Sequence, residues 1–329
     1  MQSNQKLRWG ILGCGKIAAK FAEDMRISTT GIVVACAARD AERAGNFAKK
    51  YRIPIHYGDY TSLAASREVD VIYIATTHNF HEAHAVCCMQ HGKHVLCEKP
   101  LAVNLAQTIS MQETAQKYQV FLMEALWTAF LPAMISLKNA IQSGLIGDIR
   151  HIRADFGFKV PYDPESRLFN PALAGGSLLD IGIYPLFMAT WLCGMPEKIH
   201  AVASKTPSGV DDECSILLLY PDKSSASLYA SVTCHTDTTC EIFGTMGKIT
   251  VPSRFHEQHS YIHSSPEQEY KITDTGILGR GYVHEIDHVY DCLKSGLTES
   301  PVMSHQFSRD LAYLMDRVRS LIDVRYPFE

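Results

Sequence analysis

The sequence predicts an N-terminal α/β domain with a doubly wound parallel sheet, followed by an α+β domain with a large, mostly antiparallel open sheet. Residues 1–125 alternate short apolar runs with amphipathic stretches, as parallel strands with crossover helices do. After Pro132, strand-like runs follow one another through short turns, which indicates antiparallel pairing. At 329 residues the chain also exceeds what one core ordinarily organises.

In the first half, strands are expected at Leu7–Leu12, Ile32–Ala38, Val69–Thr76, His94–Cys97 and Val120–Glu124. The best-marked helix is Leu105–Tyr118, because Asn104 can cap it and Gln107 stands three residues on, as in a capping box. In the second half, a helix at about 133–143 passes through Gly144 and Gly147 into a long strand, Ile149–Phe158. Further strands fit Ile199–Ser204, Cys214–Leu219, Ala226–Val232, Thr239–Phe243 and Lys248–Val251. A long apolar helix at about 177–192 interrupts them, and helices near 282–294 and 308–322 close the chain. The expected division is a dinucleotide-binding domain at 1–125 and a substrate-binding and dimerisation domain at 126–304. The last helix, about 305–323, is expected to return to the first domain.

With 46% hydrophobic and 20% charged residues and a formal net charge of -4, the chain has no electrostatic reason to bind nucleic acid. Met1 to Arg8 is polar, unlike a secretion signal, and no unbroken apolar run reaches the ~20 residues that cross a bilayer. A cytoplasmic protein without a membrane partner is expected. The ten cysteines are scattered, with Cys14, Cys36 and Cys97 inside apolar runs, and are read as reduced.

Gly13-x-Gly15-x-x-Ala18 lies where the first strand turns into the first helix. Small residues there let the backbone turn tightly and approach a pyrophosphate, which the helix N-terminal amides of Lys16 and Ile17 face. An NAD-binding strand tip usually carries a carboxylate for the ribose 2′-hydroxyl, but Ala38 stands there, followed by Arg39 and Arg43. That pair suits a 2′-phosphate, so NADP is favoured over NAD. Thr76, Thr77, His78 and Asn79 follow the third main strand and are placed beside the ribose or nicotinamide. Lys99, after Glu98 at the end of the next strand, is placed to meet nicotinamide and substrate.

Glu98-Lys99-Pro100, the glycine turn, and Gly175-Gly176-Ser177-Leu178-Leu179-Asp180-Ile181-Gly182-Ile183-Tyr184 together resemble the glucose-fructose oxidoreductase, inositol dehydrogenase and rhizopine-catabolism family over nearly the whole chain. Tyr184 where many members have His, with 121–128 and Gly209-Val210-Asp211-Asp212, resembles its dimeric dihydrodiol dehydrogenase branch. The chain departs from the mammalian members at Ala129, where they carry Arg. The resemblance implies NADP-dependent oxidation of a sugar, polyol or trans-dihydrodiol by a homodimer paired through the second sheet. It makes Tyr184 the acid/base, with Lys99 and Asp180 assisting, and places His81, like Glu98, at the cofactor. Asp180 and Tyr184 are four apart and would share a helix face. A phenol ionises near pH ~10, and a neighbouring ammonium such as Lys99 favours the phenolate. Trp127, Phe156, Arg150 and Arg153 are the candidates for the substrate pocket.

His284-Glu285-Ile286-Asp287-His288 matches the H-E-x-x-H zinc pattern. No third ligand follows at a recognised spacing, so the segment is read as an amphipathic helix and no metal is expected. The rival readings are a non-catalytic NADP-binding sensor, a glycosidase with a retained nicotinamide, and a sugar-ketone reductase.

Overall fold

The computed structural model describes residues 6–329, so most of the polar start lies outside the described residues. The chain forms two units, one running to Phe130 and completed by Leu278–Arg309, the other comprising Leu131–Ile277 and Asp310–Glu329.

In the first unit, β1 (Leu7–Leu12), α1 (Lys16–Met25), β2 (Gly31–Ala37), α2 (Ala41–Tyr51), β3 (Ile55–Tyr57), α3 (Tyr60–Ala65), β4 (Val71–Ile74), α4 (His81–Gln90), β5 (His94–Glu98), α5 (Leu105–Tyr118) and β6 (Leu122–Ala125) follow in order. They build a six-stranded parallel sheet ordered β3-β2-β1-β4-β5-β6. This is the order of doubly wound dinucleotide-binding sheets, whose crevice opens at the carboxyl ends of β1 and β4. Ile11, Ile72, Ile74 and Val95 are fully buried, as strands covered on both faces require. Asn104 caps α5 by accepting the Gln107 N–H at 2.9 Å, while Gln107 accepts the Val103 N–H at 3.2 Å, one residue short of a reciprocal box. The expected strands fall close to their places, but β3 and α3 were not expected. Three residues at a sheet edge are too short to show a period.

The division of the chain differs from the expected one. Residues 278–309 belong to the first unit, tied to α1 by buried Asp24, which accepts the N–H groups of Arg280 and Tyr282 at 2.9 Å. Only the start of the last helix belongs there; its apolar positions Leu311, Leu314, Met315 and Val318 are buried and belong to the second unit.

The second unit starts with α6 (Pro132–Gln142) and β7 (Ile149–Gly157). A π turn at Leu178–Gly182 then leads into α7 (Ile183–Cys193). Next come β8 (Lys198–Lys205), β9 (Asp211–Leu219), β10 (Ser225–Ser231), β11 (Cys240–Gly244), β12 (Lys248–Val251), β13 (Ser260–Ser265) and β14 (Gln268–Asp274). Their sheet is ordered β14-β13-β12-β11-β7-β10-β9-β8, antiparallel except for the parallel pair β7 and β10. The helices α8 (Tyr282–Lys294) and α9 (His305–Leu321) complete the chain.

Pro171–Cys193 forms a continuous helical stretch of 23 residues with a mean hydropathy of 1.4, long and apolar enough to cross a membrane by composition. That corrects the expectation that nothing of the kind is present: Asp180 and the glycines break the apolar run in sequence, whereas 3₁₀, π and α turns join in space. Its most apolar window is 89% buried within the protein, as a core helix is.

Candidate active site

The glycine turn meets its geometric requirement at Gly13, whose φ is +99° and whose added Cβ would lie 2.8 Å from the Ala75 carbonyl oxygen. Gly15 begins α1 with no side-chain cap and no acidic residue in the first turn, and a Cβ there would point into open space. The first-turn amides, Lys16 and Ile17 included, therefore fit a phosphate. At the tip of β2, Ala38 is buried, Arg39 and Arg43 are exposed, and Arg43 reaches the Cys14 carbonyl at 3.4 Å. Asp40, the nearest carboxylate in sequence, caps α2 by accepting the Arg43 N–H at 2.7 Å.

Beyond β4, Thr76 Oγ1 meets His84 Nδ1 at 3.1 Å, Thr77 donates to Asn79 Oδ1 at 2.8 Å, and His78 is buried. His81 departs from its expected place at the cofactor. It is fully buried, with Nδ1 2.9 Å from the Pro100 carbonyl oxygen and Nε2 3.2 Å from that of Thr76, so both nitrogens face the protein. Glu98 is also turned inward, accepting the Tyr73 hydroxyl and, at 3.3 Å, the Lys99 N–H. Lys99 is half-buried at the head of a cis Lys99-Pro100 peptide.

Glu124 was not singled out in sequence. It is buried and accepts the Leu101 N–H at 2.9 Å and the Ser308 hydroxyl at 2.7 Å. Burial pushes its pKa up to about 7. Glu285 is buried too, and burial, then Glu98 and Asp24, raise it well above the carboxylate range. In the same H-E-x-x-H segment, His284 accepts the Leu278 N–H at 3.4 Å and His288 meets Ser300 Oγ at 2.7 Å, so the two histidines face different partners. Among the described residues no group of three His, Cys, Asp or Glu is placed to hold a metal. Trp127, in the first unit, stacks on Tyr282 with centroids 4.6 Å apart and is 6% exposed.

In the second unit, the π turn is pinned by Asp211, which accepts the Ser177 hydroxyl and the Leu178 N–H, both at 2.7 Å. Gly176, with φ +122°, makes room for it, since a Cβ there would lie 2.3 Å from Asp211 Oδ1. Asp180 sits inside the π turn and Tyr184 in the α-helix beyond it, so their spacing is not the plain i,i+4 of an α-helix. Pro185, which has no N–H, stands in the first turn of α7, where it is tolerated. With Gly182, it is the sequence signal for this break.

Asp180 accepts a fork from Arg167 at 2.7 and 3.3 Å. Tyr184 is 7% exposed, its ring 5.6 Å from Phe156 and 5.1 Å from His256, while Phe156 and His256 stack at 4.4 Å. Arg167 and His256 escaped the sequence reading. Two other candidates lie elsewhere. Strand alternation puts Arg153 on the face of β7 opposite Phe156, where it pairs with Glu241. Arg150 shares the Phe156 parity but lies six residues (~20 Å) along the strand, exposed, 3.8 Å from Asp148.

Residues 7–126 match the oxidoreductase family with an NAD-binding Rossmann fold, and residues 134–250 match the GFO/IDH/MocA C-terminal domain. The chain belongs to this glucose-fructose oxidoreductase, inositol dehydrogenase and MocA family, and it is an oxidoreductase whose first unit is the NAD-binding domain. It is similar to the trans-1,2-dihydrobenzene-1,2-diol dehydrogenase of Sus scrofa, 39% identical with 98% of each chain covered. Among solved structures, it shares its fold with a 3-ketoreductase from Actinomadura kijaniata in complex with NADP and TDP-benzene. The TM-score is 0.86 at 23% identity, covering 97% of this chain and 98% of that one. It also shares it with a levoglucosan dehydrogenase in complex with NADH and levoglucosan, TM-score 0.86 at 22% identity over 97% and 98%.

Proposed function

We propose that the protein is an NADP-dependent dehydrogenase acting on a secondary or anomeric hydroxyl of a sugar, polyol or trans-dihydrodiol. The observation that carries this reading is Tyr184, a phenol buried in an aromatic cluster on the helix whose π turn holds Asp180. The resemblance to dihydrodiol dehydrogenases supports the substrate class.

When bound, the nicotinamide takes up or delivers the hydride. The first-turn amides of α1 would hold the pyrophosphate, Arg39 and Arg43 would meet the 2′-phosphate, and Thr76 to Asn79 would lie beside the ribose or nicotinamide. Tyr184 takes the hydroxyl proton in oxidation and returns it in reduction. Lys99 favours the phenolate by its charge, and Asp180, oriented by Arg167, positions a substrate hydroxyl. Phe156 and Trp127 line the substrate. A second copy of the chain pairs through the open face of the larger sheet, where Val202 and Leu217 are 71% and 40% exposed.

The test is NADPH formation by the purified protein, with NADP against NAD, on D-xylose, D-glucose, myo-inositol and a trans-dihydrodiol. Turnover with NADP on xylose or the dihydrodiol is expected, falling about 10²- to 10⁴-fold in Tyr184→Phe and in Lys99→Met. Tight NADP binding without turnover on any of them would overturn this reading in favour of a sensor or a glycosidase with retained cofactor.

A further inference from the structure

His81 opens α4 in full burial, and each of its ring nitrogens meets a backbone carbonyl, Nδ1 that of Pro100 at 2.9 Å and Nε2 that of Thr76 at 3.2 Å. Carbonyls only accept, so each contact needs an N–H from the ring, and a neutral imidazole has one. Burial pulls this imidazole's pKa down; the two carbonyls oppose that, and the Lys99 charge adds to it. A neutral ring therefore donates through one nitrogen, and the shorter contact, to Pro100, takes the proton. The two carbonyls belong to different loops. Thr76 opens the segment that follows β4, whereas Pro100 is bonded directly to Lys99 and has no N–H of its own with which to anchor the turn.

We propose that His81 is a positioning residue for Lys99: its Nδ1–H, donated to the Pro100 carbonyl oxygen, ties the start of α4 to the loop after β5 and so sets where the ammonium sits. This rests on the reading of Lys99 as part of the catalytic machinery. The Nδ1 end holds Pro100 and bears on kcat through Lys99, whereas Nε2, left without a proton, makes no bond to the Thr76 carbonyl.

Amide side chains separate the two ends. His81→Asn offers an N–H near the Nδ1 position, His81→Gln one near Nε2, and His81→Phe keeps a ring with neither. Steady-state kinetics on the folded variants, each checked by thermal melting, is expected to show kcat within about threefold of wild type for His81→Asn. A loss of about 10- to 100-fold is expected for both His81→Phe and His81→Gln, with the KM for NADP changed less than kcat in each. In a Lys99→Met background, His81→Phe is expected to lower kcat no further. Wild-type kcat in His81→Phe, or equal losses in Asn and Phe, would overturn the proposal while leaving the Lys99 reading intact. Full activity in Lys99→Met would instead overturn that reading. Should the substitutions unfold the protein, imidazole ¹⁵N resonances of the wild type decide: a proton on Nδ1 is expected, and a ring protonated at Nε2 alone would overturn the proposal.

Discussion

The two units present different parts of the chain at their candidate sites. In the first, main chain does the presenting: Gly13 at positive φ, the uncapped first turn of α1, and the carbonyls of Thr76 and Pro100 gathered on one imidazole. In the second, side chains do it, with Tyr184 among Phe156 and His256, and Asp180 in the grip of Arg167. Main-chain sites demand a particular residue, often glycine, because no other fits. Side-chain sites demand a particular company, which only the folded chain assembles.

Breaking the first kind of site is expected to have the largest effect. Gly13→Val forces a Cβ to within 2.8 Å of the Ala75 carbonyl oxygen at a φ of +99°. Calorimetric titration with NADP should show affinity lowered by about 100-fold or more, and wild-type affinity would refute the main-chain account.

Glu124→Gln asks how much a buried side chain matters in the first unit. The native pKa, about 7, lies above the usual carboxylate value of 4.5, so the folded protein binds this proton more tightly than the unfolded chain. That contribution to stability is complete below pH 4.5 and is lost as pH rises through 7. Glutamine accepts the Leu101 N–H through its oxygen and donates to Ser308 Oγ through its NH2, without a titrating proton. The stability of the variant relative to wild type should therefore improve between pH 4.5 and 8 by on the order of 3 kcal/mol, read from urea unfolding. A difference independent of pH would contradict the assignment.

The smallest effect is expected from Arg167→Leu, which removes the fork from Asp180, a residue 6% exposed. Half of the arginine side chain faces solvent, so a loss of about 1 kcal/mol in stability is expected, with kcat falling about tenfold. Unchanged kinetics would take Arg167 out of the site.

The same contrast explains what could be read from the sequence. Buried parallel strands read as mostly apolar runs, so β1, β2, β4, β5 and β6 stood out, and the glycine turn was legible because its backbone admits no substitute. The strands β13 and β14 were missed, because polar residues interrupt any alternation there. Arg167 lies 13 residues before Asp180, with no periodicity to link the two. Strand alternation already puts Arg153 and Phe156 on opposite faces of β7. His81 was placed by resemblance, and the two carbonyls that its ring nitrogens face become apparent only in the folded chain.

The first unit is closed by residues 278–309, whose Arg280 and Tyr282 amides bind Asp24 and whose Ser308 hydroxyl binds Glu124. On the ribosome, every residue of the dinucleotide fingerprint emerges early, yet its domain cannot finish folding until residues 278–309 have been translated. A nascent chain stalled after residue 277 would therefore carry an intact motif on an unclosed fold.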